Sequence, residues 1–144
     1  MAHTYNANLV HCIFSTKDRR ATIPEGLQEK LWAYLLGIAN NLNIKMLAAG
    51  GTTNHVHLLI ALPPTMTIAQ AMQKLKANSS RWLGEQGVTF QWQEGYAAIS
   101  VSPSLLENVK AYIRNQAEHH RKRNFEEEFR LLLEKAGVVY EPAA

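Results

Sequence analysis

His55 and His57 stand two residues apart in the run Asn54-His55-Val56-His57-Leu58-Leu59-Ile60. In a strand, side chains alternate between faces, so both imidazoles and Leu59 point one way while Val56, Leu58 and Ile60 point the other. Such a pair is part of a metal site if a third ligand arrives from elsewhere, but it also occurs in half-buried strands that hold no metal. Tyr112 and Gln116 lie four apart further along the chain, which on a helix puts them on one side. A tyrosine beside an apolar stripe is ordinarily core. Taken together, the four residues compose a site that could break a phosphodiester. A cation on His55 and His57, completed by the Gln116 amide oxygen, would keep positions open for phosphate oxygens and offset the charge that develops on them. Tyr112 would attack phosphorus. Its phenol, with an ordinary pKa of about 10, must first lose a proton to water or substrate, and the sequence shows no dedicated base. The product would be a phosphotyrosine, which conserves the energy of the broken bond and permits rejoining to another strand.

These residues need a scaffold, and the chain supplies recognisable elements for one. Asn8 to Ser15 reads as a short buried strand. Pro24 opens a helix in which Leu27, Leu31, Tyr34, Leu35 and Ile38 recur at helical spacing up to Asn40-Asn41. Ile44 to Ala49 and His55 to Leu62 form a hairpin about a turn over Gly50-Gly51-Thr52-Thr53-Asn54. Thr67 and Gln70 resemble a capping box ahead of a second helix with Ile68, Met72, Leu75 and Trp82 inward and Lys74, Asn78 and Arg81 outward. Val88 to Ser102 is extended, with a kink at Glu94-Gly95. Ser102 or Ser104 caps a third helix with the stripe Leu105, Val109, Ile113 and Ala117, and Asn124 caps a last one through Phe125, Phe129, Leu132 and Leu133 to Gly137. The order predicts an α+β fold, a ferredoxin-like (RRM-like) βαββαβ sandwich whose antiparallel sheet carries extra C-terminal helices and leaves one face open for a ligand. That architecture names no ligand by itself.

Bulk properties narrow the classes. The 144 residues fit one domain, taken as residues 1–144, that can bury a core without disulfides. Cys12 is the only cysteine, which excludes an intrachain disulfide and a cysteine zinc site and favours a reducing compartment. The N-terminus lacks a signal pattern and no apolar run suffices to cross a bilayer, so the expectation is a soluble, cytoplasmic protein without a membrane partner. The net charge is +3, with basic groups at Lys17, Arg19 and Arg20, at Lys74, Lys76 and Arg81, and at Arg114, Arg121, Lys122 and Arg123. Such clusters suit a polyanion or a solvated surface.

The segments Asn54 to Ile60, Phe90-Gln91-Trp92-Gln93-Glu94-Gly95-Tyr96 and Tyr112-Ile113-Arg114-Asn115-Gln116-Ala117-Glu118-His119-His120 resemble those of IS200/IS605-family transposases. These are single-tyrosine nucleases with a His-hydrophobic-His motif, and they include relatives associated with repetitive palindromic elements. The resemblance runs from about Asn6 to Arg123. It implies a metal-dependent enzyme that cleaves and rejoins single-stranded DNA at hairpin-bearing element ends, through a 5′-phosphotyrosine and a free 3′-hydroxyl. On it, His55, His57 and Gln116 fall on the metal ligands, Mg²⁺ or Mn²⁺ on the working ion, and Tyr112 on the nucleophile. Imidazole nitrogen suits Mn²⁺ better than Mg²⁺. It also implies a homodimer in which the tyrosine helix of one subunit can complete the metal site of the other, the cis or trans arrangement being left open, and the apolar surface of the last helix offers an interface. Alternatives are a domesticated relative that nicks chromosomal palindromes and a non-catalytic nucleic-acid-binding module with structural histidines. His119 and His120 are placed in a supporting or DNA-backbone role. Trp92 and Tyr96 either stack on bases or pack beneath the sheet.

Overall fold

Strand β1, Leu9–Ser15, is apolar with little alternation, and all of its residues are buried because it lies at the centre of a sheet covered on both faces. The computed structural model describes residues 3–141, so Met1, Ala2 and residues 142–144 of the expected domain lie outside it, as does the side chain of Arg121. β1 pairs antiparallel with β3, His55–Ala61, on one side and with β4, Ala97–Ser100, on the other. β2, Lys45–Gly51, pairs antiparallel with β3 to complete the order β2-β3-β1-β4. This is the α+β, ferredoxin-like arrangement that the element order predicts.

Alternation then sorts the chemistry from the core. Val10, Cys12 and Phe14 of β1 and Val56, Leu58 and Ile60 of β3 share a face with helices α1, Gln28–Asn41, and α2, Ile68–Glu85, where Leu31, Leu35, Met72 and Leu75 complete the main apolar cluster. The capping box of α2 forms as read: Thr67 Oγ1 accepts from the Gln70 amide and the Gln70 side chain accepts from the Thr67 amide. The other face carries His11, Ile13, His55, His57 and Leu59, with Ile13 opposite His57 in the register. Among the described residues, no helix is long and apolar enough to cross a membrane.

That second face is not open. Helices α3, Leu106–Arg114, α4, Gln116–Lys122, and α5, Phe125–Lys135, cover it. Ile113 packs on Ala48 and Leu59, while Phe125 and Leu133 pack on Ile13 and Ala97. Part of the apolar surface of α5, Phe125 and Leu133, is thus buried within the same chain, while Leu131 and Leu132 stay half-buried. Three further expectations change. Gly50 and Gly51 belong to β2 rather than to a turn, because α3 closes directly on the strand: a Cβ at Gly50 would overlap the Ile113 carbonyl. The third helix begins after a turn over Pro103–Leu105 capped by Ser102, and breaks at Asn115 (φ −100°, ψ 28°) into α3 and α4. Of the extended segment, only Ala97–Ser100 joins the sheet, and Trp92 makes a lone bridge to Thr16. Trp92 is buried, with its indole N–H donating to Ser79 Oγ at 3.0 Å, so it packs beneath the sheet, whereas Tyr96 is exposed.

Candidate active site

β3 delivers His55 and His57 to the helix-covered face, both fully buried, and the break at Asn115 turns α4 so that Gln116 enters from above. Gln116 Oε1 lies 2.9 Å from His55 Nε2. The fourth residue singled out in the sequence, Tyr112, arrives from α3 in the same chain, its ring centroid 5.8 Å from that of His57. All four therefore converge. At their centre is a residue that the sequence reading passed over, Glu128 of α5. One carboxylate oxygen lies 3.1 Å from His57 Nε2, 3.5 Å from His55 Nε2 and 3.2 Å from His120 Nε2. The other accepts from the Gln116 amide at 3.1 Å and from the Tyr112 hydroxyl.

Glu128 left a faint trace in the sequence, since it falls three residues after Phe125 and four before Leu132, within the apolar stripe of α5. A carboxylate there is buried only if it is paired. His11 was missed too. It lies on the same β1 face as Ile13, and its Nε2 stands 2.8 Å from His57 Nδ1. Of the two histidines on α4, His120 reaches Glu128, while His119 rests on the Tyr112 ring with centroids 4.6 Å apart.

Proton counting bears on what the cluster can hold. The Thr52 hydroxyl donates to Asn54 Oδ1, and both oxygens lie within hydrogen-bond reach of His55 Nδ1, at 3.1 and 2.8 Å. His55 Nδ1 therefore carries the proton. Burial first, then the neighbouring His57, pushes the His55 pKa down to about 3, so the ring is neutral and its Nε2 is a bare lone pair. That lone pair faces Gln116 Oε1, whose orientation is fixed because Gln116 Nε2 donates to Glu128. Two acceptors at 2.9 Å repel, and a cation held by both His55 and Gln116 would relieve that repulsion. The donor set of imidazole nitrogens, an amide oxygen and a carboxylate oxygen, with the His55, His57 and Glu128 atoms within 4.8 Å of one another, fits a divalent ion. Partners behind the imidazoles, Asn54 and Thr52 for His55 and His11 for His57, orient the rings as metal sites require.

The remaining groups titrate accordingly. Burial, followed by the Glu128 hydrogen bond, holds the Tyr112 phenol above its ordinary pKa and keeps it protonated. Burial would also raise Glu128, but hydrogen bonds from His120, His57 and Tyr112 outweigh it and hold the carboxyl far below its usual range. His11 is pushed down to about 3 by burial and then by His57, and burial lowers His57 as well. In the unfolded chain these imidazoles take up protons near 6.5, while in the folded chain His11 and His55 resist protonation down to about 3. Stability is therefore complete above pH 6.5 and falls as pH drops toward 3. Below the usual carboxyl range, Glu128 acts in the same direction. Urea midpoints measured in metal-free buffer should hold down to about pH 6.5 and decline from there toward roughly pH 4; a flat profile contradicts the neutral, buried imidazoles.

The placement of Glu128 depends on how α5 is docked. Asn124 caps the helix by accepting from the Glu127 amide at 2.9 Å. Arg19, at a positive φ of 55°, lays its guanidinium over Phe125 and Phe129, pairs with Glu126 and donates to the Tyr140 hydroxyl at 3.0 Å. Phe125 in turn stacks on the His55 ring, with centroids 4.0 Å apart. The helix is thus tied at both the basic turn after β1 and the metal-type cluster.

Comparison with known proteins bears on the family and the fold. The chain is 28% identical over 126 residues, 82% of each chain, to the transposases for insertion sequence element IS200 of Salmonella typhimurium and Salmonella typhi. In fold it is similar to a candidate transposase of Deinococcus radiodurans, with a TM-score of 0.63, 23% identity, and coverage of 81% of this chain and 96% of that one. It is also similar to a REP-associated tyrosine transposase solved with a REP hairpin, with a TM-score of 0.56, 13% identity, and coverage of 78% and 70%. The model of the family "Transposase IS200 like" matches residues 4–116, a span that begins before β1 and ends on Gln116, and the chain belongs to that family.

Proposed function

We propose that this chain, acting as one catalytic domain, cleaves and rejoins single-stranded DNA at hairpin-bearing element ends through a 5′-phosphotyrosine on Tyr112. The observation that carries the reading is the approach of the Tyr112 hydroxyl to the His55, His57 and Gln116 cluster around one carboxylate, from elements more than fifty residues apart in the chain. Support comes from membership of the IS200-like transposase family and from a similar fold solved with a REP hairpin.

Mg²⁺ or Mn²⁺ would be held by His55, His57 and Gln116, with Glu128 as a further oxygen ligand, and would neutralise charge on the scissile phosphate. The protein's own groups do the rest. Tyr112 Oη forms a bond to phosphorus as the bond from phosphorus to the 3′-oxygen breaks, and that oxygen leaves as a 3′-hydroxyl, taking up the proton that the phenol gives up by way of Glu128 or water. The phenolic proton already points at Glu128, which gives it an acceptor. Until substrate arrives, the raised Tyr112 pKa keeps the nucleophile protonated. Rejoining reverses these bonds with a different 3′-hydroxyl and needs no nucleotide cofactor. Tyr112 meets the histidines of its own chain, which supports a within-chain arrangement even if two copies form the homodimer that the resemblance implies. The reading places the protein in the cytoplasm, with its DNA.

The test is a single-stranded oligonucleotide with an imperfect hairpin, incubated with the protein and Mn²⁺. A covalent adduct that survives denaturing electrophoresis is expected, and its absence, or an equal yield from the fully duplex form, contradicts the reading. Glu128→Gln keeps the shape of the side chain and removes its charge. Mn²⁺ affinity, followed by titration against the free-ion electron paramagnetic resonance signal, should weaken by about 10- to 100-fold. Unchanged affinity would remove Glu128 from the ligand set.

A further inference from the structure

Beyond Tyr112 the site opens into a cavity of about 260 Å³ between α4 and α5. Its walls differ in chemistry. Lys122, Arg123 and Lys135 supply three exposed cationic groups, while half-buried Leu131 and Leu132 supply an apolar side. His119 and the Tyr112 ring close the end nearest the reacting hydroxyl. The carboxylate at the floor, Glu128, is already engaged by His57, His120, Gln116 and Tyr112, so it adds little uncompensated negative charge. Apart from Tyr112, these lining residues lie after residue 116, where the match to the family model ends.

A compact anion with an apolar body fits such walls. The volume lies just below the roughly 300 Å³ lower end of drug-sized pockets, which admits one nucleotide unit and excludes a duplex. Cations on one side meet phosphate, and the leucines with the His119 ring meet sugar and base. On that reading, cleavage leaves one end of the DNA covalently held, the end whose 5′-phosphate is bonded to Tyr112. A cavity that has Tyr112 as part of its wall is placed to hold that end. We propose that it seats the first nucleotide on the 3′ side of the cut, with Lys122, Arg123 and Lys135 on its phosphates. This assignment rests on the tyrosine-nuclease reading above. It gives α5 a task in retaining the cut strand, beyond covering the sheet.

The experiment compares the full chain with the double variant Lys122→Ala/Lys135→Ala, both positions being exposed. The probe is the hairpin oligonucleotide, with its cut position mapped from the released 3′-hydroxyl strand, in two forms: one that continues past the cut and one that stops before the nucleotide on its 3′ side. On the continuing form the double variant should bind about tenfold more weakly, and the slope of log Kd against log salt should fall by about two. On the truncated form the two proteins should bind alike. Lys30→Ala, on exposed α1 across the sheet, should match the unaltered chain on both. Equal binding of the continuing form by both proteins overturns the assignment, and so does an equal loss on the truncated form, which would place the lysines on the hairpin instead. If the unaltered chain forms its adduct normally in either of those cases, the inference alone fails. If it forms no adduct with any hairpin, the nuclease reading fails and the inference with it.

Discussion

Tyr112→Phe should abolish the covalent adduct with a single-stranded hairpin and leave hairpin binding within about twofold. The variant loses one oxygen, the atom proposed to bond to phosphorus, and among the described residues the other side chains at the cluster centre are imidazoles, an amide and a carboxylate, with the Thr52 hydroxyl behind His55. Loss of a nucleophile costs on the order of 10⁴-fold or more in rate, beyond the detection limit of a gel assay. The ring itself stays, edge-on to His11 and His57 and against His119, so the cavity keeps its wall. Stability should hold to within about 1 kcal/mol, since Glu128 loses one of several hydrogen-bond partners and retains His57, His120 and Gln116. Binding by gel shift, adduct by denaturing gel and melting temperature together separate this outcome from misfolding. An undiminished adduct would remove Tyr112 from the chemistry and require another nucleophile.

Much of this site was legible before any coordinates because strand alternation is a local rule. The parity of His55 and His57 against Val56 and Leu58 sets which face carries the histidines and which carries the main core, and the structure divides them that way. Thr67 with Gln70 and Asn124 with Glu127 were readable for the same reason, each cap being complete within four residues. What stayed hidden depends on contacts far apart in the chain. Glu128 reaches His57 across 71 positions, and nothing near it in sequence names that partner. The covered sheet face follows from where Arg19 pins α5, which a helical stripe alone does not disclose. The break after Arg114 has no proline or glycine to announce it. Gly50 and Gly51 misled in the opposite sense: glycine ordinarily marks a turn through its backbone freedom, whereas here it marks the place where a helix must touch a strand.

That contact carries the second large prediction. Gly50 sits opposite His57 in the β2–β3 register, and α3 packs its backbone against it at Ile113, the residue after Tyr112. Gly50→Ala forces the added methyl into the Ile113 carbonyl, which is backbone and cannot rotate aside, so α3 or β2 has to move. Overpacking of this kind costs roughly 1–3 kcal/mol. The functional cost should be larger in proportion, because α3 carries Tyr112 and leads directly into Gln116, while His55 and His57 remain fixed in the sheet. A displacement of about 1 Å between nucleophile and metal ligands lowers rates by about 10²-fold. Gly84→Ala provides the contrast. Gly84 lies in α2 on the far side of the sheet with nothing near its absent Cβ, and alanine there should raise stability by about 0.5–1 kcal/mol without touching the adduct rate. Single-turnover adduct formation and thermal melting of the two variants decide the matter. A Gly50→Ala protein with unaltered rate and melting temperature would show that α3 is free to shift without consequence, and that the alignment of Tyr112 with the histidines is not set by the strand glycine.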